Sequence, residues 1–140
     1  MAVAEFIVDT SAFGRIPHVP AIEERLVNLM ERALVATSAM LDLEALWSAR
    51  DPDDYEQIRS FRGAILEYVE TIDAHWQRAL EVQRELAARS KHRSVKLPDL
   101  LIAAVAELDG LTLLHYDSDF EYVAEITGQS VEWVVPRGSE

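Results

Sequence analysis

FIVDTSAF, residues 6–13, is the stretch on which the fold turns. Phe6-Ile7-Val8 is a short apolar, β-branched run without alternation, the signature of a strand buried on both faces. It ends directly on a carboxylate, Asp9, for which a buried strand has no use. Working outward, the run extends back to residue 3 as VAEFIV, and similar runs occur at 33–37 (ALVAT), 111–116 (LTLLHY) and 131–135 (VEWVV). The segments between them carry helical spacing. Residues 20–32 open on Pro20 and repeat Ile22, Leu26 and Leu29; 38–49 follow Ser38 as a cap; 53–67 and 74–88 are long and amphipathic; 98–109 open on Pro98 and run LLIAAVA, apolar on every side. Strands alternating with helices specify an α/β fold whose mostly parallel central sheet, of about four or five strands, is covered by helices on both faces. Residues 50–53 read as a turn and 89–97 as a polar loop, with no internal repeat.

The length of 140 residues suits one domain spanning 1–140. An apolar fraction of 49% without any run of ~20 apolar residues predicts no membrane span, and the first residues lack a signal-peptide pattern, so a cytoplasmic location is expected. The absence of cysteine excludes disulfides and thiolate metal sites, which leaves oxygen or imidazole ligands and favours magnesium, manganese or calcium over zinc. The net charge of −12, from 25 acidic against 13 basic side chains, argues against a nucleic-acid partner unless some of those acids are gathered around a cation.

Several acids stand where such gathering is possible. Asp9 and Asp117, with Asp119 two residues on, lie just beyond the carboxyl ends of strands, the edge at which parallel sheets bind ligands. Aspartate is also a favoured helix cap, and position alone does not separate the two readings. In helical projection Glu44 lies about 40° from Met40 and about 60° from Trp47, on the arc expected to face the core, while Asp42 points the other way, toward solvent. Asp99 occupies the first turn of the most apolar helix, where the helix dipole contributes only about 0.3–1 kcal/mol. No equal number of buried bases is in prospect. Two carboxylates ~4 Å apart repel by about 4 kcal/mol at an effective dielectric of 20. A shared cation or shared protons would relieve this, and an all-oxygen donor set suits Mg²⁺ or Mn²⁺ activating water against a phosphodiester.

VDTSA at 8–12, LEALWSAR at 43–50, HRSVKLPDLLIAAVAE at 92–107 and LLHYDSDFEYVAEITG at 113–128 together resemble, in order and spacing, a PIN-domain ribonuclease of the VapC type, the toxin of a type II toxin–antitoxin pair. The resemblance implies a PIN-domain fold and makes Asp9, Glu44, Asp99 and Asp117 an acidic quartet for Mg²⁺ or Mn²⁺. Asp119 would be an accessory acid, and Ser11 would position the first carboxylate or a water. It further implies cleavage of structured or looped RNA, such as transfer or ribosomal RNA, leaving a 5′-phosphate and a 3′-hydroxyl. The implied partners are a cognate VapB-type antitoxin and a second copy of the chain, in a homodimer or in a heterotetramer or larger assembly with the antitoxin. Ile22, Leu26, Leu29, Trp47 and Ile58 would contribute to the antitoxin groove. His115 departs from the family pattern, in which threonine is common at that place.

Residues 89–96 (RSKHRSVK) hold Arg89, Lys91, His92, Arg93 and Lys96 without an acid, and lead into Pro98-Asp99. Such a loop could grip an RNA backbone or be simply solvated; Arg15 is a weaker candidate of the same kind. His18 and His75 read as surface or cap residues, and Trp47, Trp76 and Trp133 as packing residues of the core or an interface. A phospho-acceptor domain would need paired acids after the first strand, and a haloacid-dehalogenase-like phosphatase an Asp-x-Asp where this chain has Ser11. A catalytically silent PIN-fold binding module is the remaining alternative.

Overall fold

The structure, a computed structural model, describes residues 3–138. Its strands are β1 (Phe6–Val8), β2 (Val35–Thr37), β3 (Glu67–Tyr68), β4 (Thr112–His115) and β5 (Val131–Trp133), which form one parallel sheet in the order β3-β2-β1-β4-β5. Its helices are α1 (Thr10–Phe13), α2 (Pro20–Glu31), α3 (Ala39–Trp47), α4 (Pro52–Ile65), α5 (Asp73–Ala88), α6 (Leu97–Leu108) and α7 (Asp119–Thr127). Among the described residues no helix is long and apolar enough to cross a membrane.

The apolar runs are continuous because both faces of the central strands are covered. Ile7, Ala36 and Leu113 enter one core with Leu41 of α3 and the buried faces of α5, α6 and α7. Val8, Val35 and Leu114 enter the other, with Ala12 of α1, the buried stripe of α2 and Val134 and Val135 beyond β5. Register aligns Phe6 with both Val35 and Thr112, so β1 lies at the centre of the sheet. Residues 99–106 of α6 are all buried, as an all-round apolar helix must be.

The boundaries shift for local reasons. The second strand begins at 35, not 33, because Ala33 adopts φ 56° in closing α2. There the Leu34 N–H reaches the Leu29 carbonyl at 3.0 Å and the Ala33 N–H reaches that of Met30 at 3.0 Å, a left-handed helix stop that usually falls to glycine. The helix expected over 53–67 ends at Ile65, since Leu66 leaves it in extended conformation to bury its side chain. Glu67 and Tyr68 then add the edge strand β3, two exposed residues with no apolar signal. Ile22, Leu26 and Leu29, expected in a partner groove, are instead buried against the sheet.

Candidate metal centre

Because β1 and β4 are parallel neighbours, their carboxyl ends release Asp9 and Asp117 at the same sheet edge. Asp9 is 3% exposed and uses its two oxygens differently. Oδ2 accepts the Ser11 N–H at 3.0 Å and so caps α1, while Oδ1 is buried without a hydrogen-bond partner among the described residues. Cap and candidate ligand are therefore the same residue, through different atoms. The Ser11 hydroxyl accepts the Tyr116 N–H at 2.9 Å, stitching α1 to the end of β4. Asp117 Oδ1 accepts the Asp119 N–H at 3.0 Å, and the Asp117 N–H donates to Nδ1 of His115 at 3.2 Å. Asp99, 6% exposed, comes from the first turn of α6. Asp99, Asp117 and Asp119 each offer an oxygen within 4.8 Å of the others. Glu44 of α3 is half-buried, and its Oε1 lies 3.5 Å from the Thr10 hydroxyl. Thr10 was not singled out in the sequence; its only signal there was its place beside Asp9.

The electrostatics bind these groups into one cluster. Burial pushes the Asp9 carboxyl up, the Ser11 hydroxyl and N–H pull it back, and Asp117 raises it again. Glu44 is raised by burial and then by Asp9. Asp119 is raised by burial and then by Asp117. Asp99 is pushed up to about 7, first by burial and then by Asp9, Asp117 and Glu44 in turn. Acids so placed cannot all stay ionised at neutral pH without added positive charge. An all-carboxylate set with a buried, unpartnered Asp9 Oδ1 fits a hard divalent cation, which takes oxygen ligands and pulls neighbouring carboxyl pKa values down.

Two expectations around α3 change. Asp42, expected in solvent, accepts from Arg62 Nε at 2.9 Å and from the Thr37 hydroxyl at 2.8 Å, because α4 folds over that side of α3. Trp47, expected to pack in the core or at an interface, is 88% exposed, which removes the core reading, so its arc did not define the core side of Glu44. A cleft of about 500 Å³ adjoins the cluster, bordered by Thr10, Phe13, Glu44, Ile58, Phe61 and Arg62.

The basic residues are placed unequally. Arg89 closes α5, the Lys91 ammonium lies 4.5 Å from the Tyr122 ring centre, and His92 and Arg93 are exposed. Lys96 is the N-cap residue of α6. The Arg15 guanidinium lies 3.9 Å over the Tyr116 ring. His115 is fully buried between Phe120 and Trp133, at centroid distances of 5.2 and 4.9 Å, with burial lowering its pKa. His75 is a buried cap: its Nδ1 accepts the Ile72 N–H and its Nε2 meets Asp109 at 2.9 Å.

The profile of the PIN domain matches residues 6–126. The chain is 49% identical to ribonuclease VapC21 of Mycobacterium tuberculosis, covering 96% of each sequence, and 41% identical to ribonuclease VapC51 of the same organism, again covering 96% of each. The fold is similar to that of a chain in the crystal structure of DNA-bound VapBC from Salmonella typhimurium, with TM-score 0.73, 22% identity, and coverage of 95% of this chain and 100% of that one.

Proposed function

Because the chain belongs to the PIN-domain family, we propose that it is a metal-dependent endoribonuclease of the VapC type, the toxin of a toxin–antitoxin pair acting in the cytoplasm. The observation that carries this reading is the convergence of carboxylates from β1, α3, α6 and the β4–α7 junction, with Asp9 Oδ1 buried and unpartnered. Asp9, Glu44, Asp99 and Asp117, with Asp119, would hold Mg²⁺ or Mn²⁺. When bound, such an ion supplies Lewis-acid charge to a phosphate and acidity to a water.

The residues of the chain do the rest. Ser11 fixes Asp9 and the end of β4 relative to each other, and Thr10 orients Glu44. The Nδ1 of His115 holds the Asp117 amide; the ring is fully buried and so takes no proton from substrate. Arg89, Lys91, His92, Arg93 and Lys96 supply the backbone contacts to single-stranded or looped RNA that the net charge would otherwise oppose. A VapB-type antitoxin is the partner that would silence the site, and an arginine offered to these carboxylates is the chemistry suited to it. Incubation of RNA with the protein, with and without EDTA, tests the reading. Cleavage should require a divalent cation, leave 5′-phosphate ends and be abolished by Asp9→Asn in a folded variant; metal-independent cutting would refute it.

A further inference from the structure

Three of the acids at the sheet edge feel the charge of one lysine. Among the described residues, the basic group whose charge acts on Glu44, Asp99 and Asp119 is Lys96, and those acids come from three elements, α3, α6 and the start of α7. Its backbone is fixed. Lys96 is the N-cap residue of α6, three positions before Asp99, and its carbonyl accepts the Leu100 N–H at 3.2 Å. Buried Val95 anchors it on one side and Pro98 in the first turn of α6 stiffens the other. Its side chain is exposed and, among the described residues, enters no hydrogen bond or ion pair. The other cations of the loop lack this combination: Lys91 lies over the Tyr122 ring, Arg89 closes α5, and Arg93 belongs to the exposed turn itself.

Resting on the ribonuclease reading above, we propose that Lys96 is a catalytic residue, whose ammonium holds the non-bridging oxygens of the phosphate being cut at the mouth of the carboxylate cluster. Lys91 and Arg93 then serve only the flanking backbone. A cation at this place weakens divalent-ion binding by repulsion, so the metal centre gains nothing from it. Its use is on the substrate side, where negative charge builds on the phosphate as the bond breaks. A charge-assisted hydrogen bond from a pre-placed ammonium is strongest there. The bond cleaved and the proton balance are those of ordinary phosphodiester hydrolysis; Lys96 stays protonated throughout.

The test compares Lys96→Gln, Lys96→Arg and Arg93→Gln with the parent protein. Manganese affinity is measured without RNA, and kcat, KM and their salt dependence on a single-stranded oligonucleotide. Lys96→Gln should lower kcat by about 10²-fold with KM changed far less, in the range seen when one preorganised transition-state donor is lost. Its Mn²⁺ affinity should be equal or tighter, which also shows that the centre is intact. Lys96→Arg should recover much of kcat, and Arg93→Gln should raise KM and flatten the salt dependence alone. An unchanged kcat in Lys96→Gln, a loss confined to KM, or weakened Mn²⁺ binding would each overturn the assignment. If Lys96 only eased repulsion among the acids, Lys96→Gln would lower the Tm of the metal-free protein and leave kcat alone. A parent protein that cuts no RNA with any divalent cation would remove the ribonuclease reading and this assignment together; a parent that cuts, beside an unaffected Lys96→Gln, removes only the latter.

Discussion

Acids occur in two kinds of surroundings in this molecule. Along one flank of the molecule two half-buried carboxylates have their own cation, Asp42 meeting Arg62 at 2.9 Å and Glu107 meeting Arg78 at 2.7 Å. At the sheet edge, the pKa values of Asp9, Glu44, Asp99 and Asp119 are raised in part by neighbouring acids, Asp117 among them, and three of these four feel the charge of Lys96, which makes no ion pair among the described residues. Where the fold uses charge to hold elements together, it supplies the counter-charge within a few ångströms. Where it withholds the counter-charge, the balance must arrive from outside the chain. The difference separates acids paired within the chain from acids left to one another, without reference to any relative.

The sharpest way to break this contrast is to neutralise one acid from each region. Asp99→Asn should lower cleavage on the order of 10³-fold, yet raise the Tm of the metal-free protein, because it removes a repelling charge. A fall in Tm would place Asp99 among the structural acids. The opposite region should respond in the opposite sense. Arg62 is only 7% exposed, and Arg62→Met leaves Asp42 without its cation, so unfolding in urea should show a loss of about 3 kcal/mol. Removing both partners, in Arg62→Met with Asp42→Leu, should recover much of it; if the single variant is neutral, the pair is ornamental.

A smaller effect comes from pH. The folded-state pKa of Asp99 is raised to about 7 from an ordinary 3.8, so between these values the folded protein holds a proton that the unfolded chain has lost. That contribution to stability is full below pH 3.8 and is lost as pH rises through about 7. In the metal-free protein, Tm should therefore fall by about 5 °C from pH 5 to pH 8, with Mn²⁺ reversing the fall at pH 8. A rise in Tm over the same interval without metal would contradict the clustering of these acids.

The sheet was legible in the sequence because strands covered on both faces leave unbroken apolar runs, as Phe6-Ile7-Val8 and Leu113-Leu114 do. β3 was not, since an exposed two-residue edge strand has no pattern to read and exists only through pairing with β2. Asp9 and Asp117 were legible for a topological reason: in a parallel sheet, the residue after each strand arrives at the same edge. Asp42 was misread because helical projection gives an angle but not the neighbour at that angle; the neighbour is Arg62, twenty residues on. The pairing of Thr10 with Glu44 was hidden for the same reason, being made across two helices. Trp47 shows the converse: it sits at a core-like angle, but no element of the described residues is laid over it, so its core reading falls and its interface reading stands untouched.

The central position of β1 bears on when the protein becomes active. Its neighbour β4 pairs Phe6 with Thr112, so the carboxylates that meet at this edge, Asp9 and Asp117, are separated by more than a hundred residues of sequence. During synthesis, a nascent chain that has not yet released residue 117 has half of a sheet edge and no assembled centre. Domains of this size fold as units, and contacts so distant in sequence close late. A fragment that stops before residue 117 therefore cannot assemble the acid cluster, which forms only once β4 and the residues after it have been made.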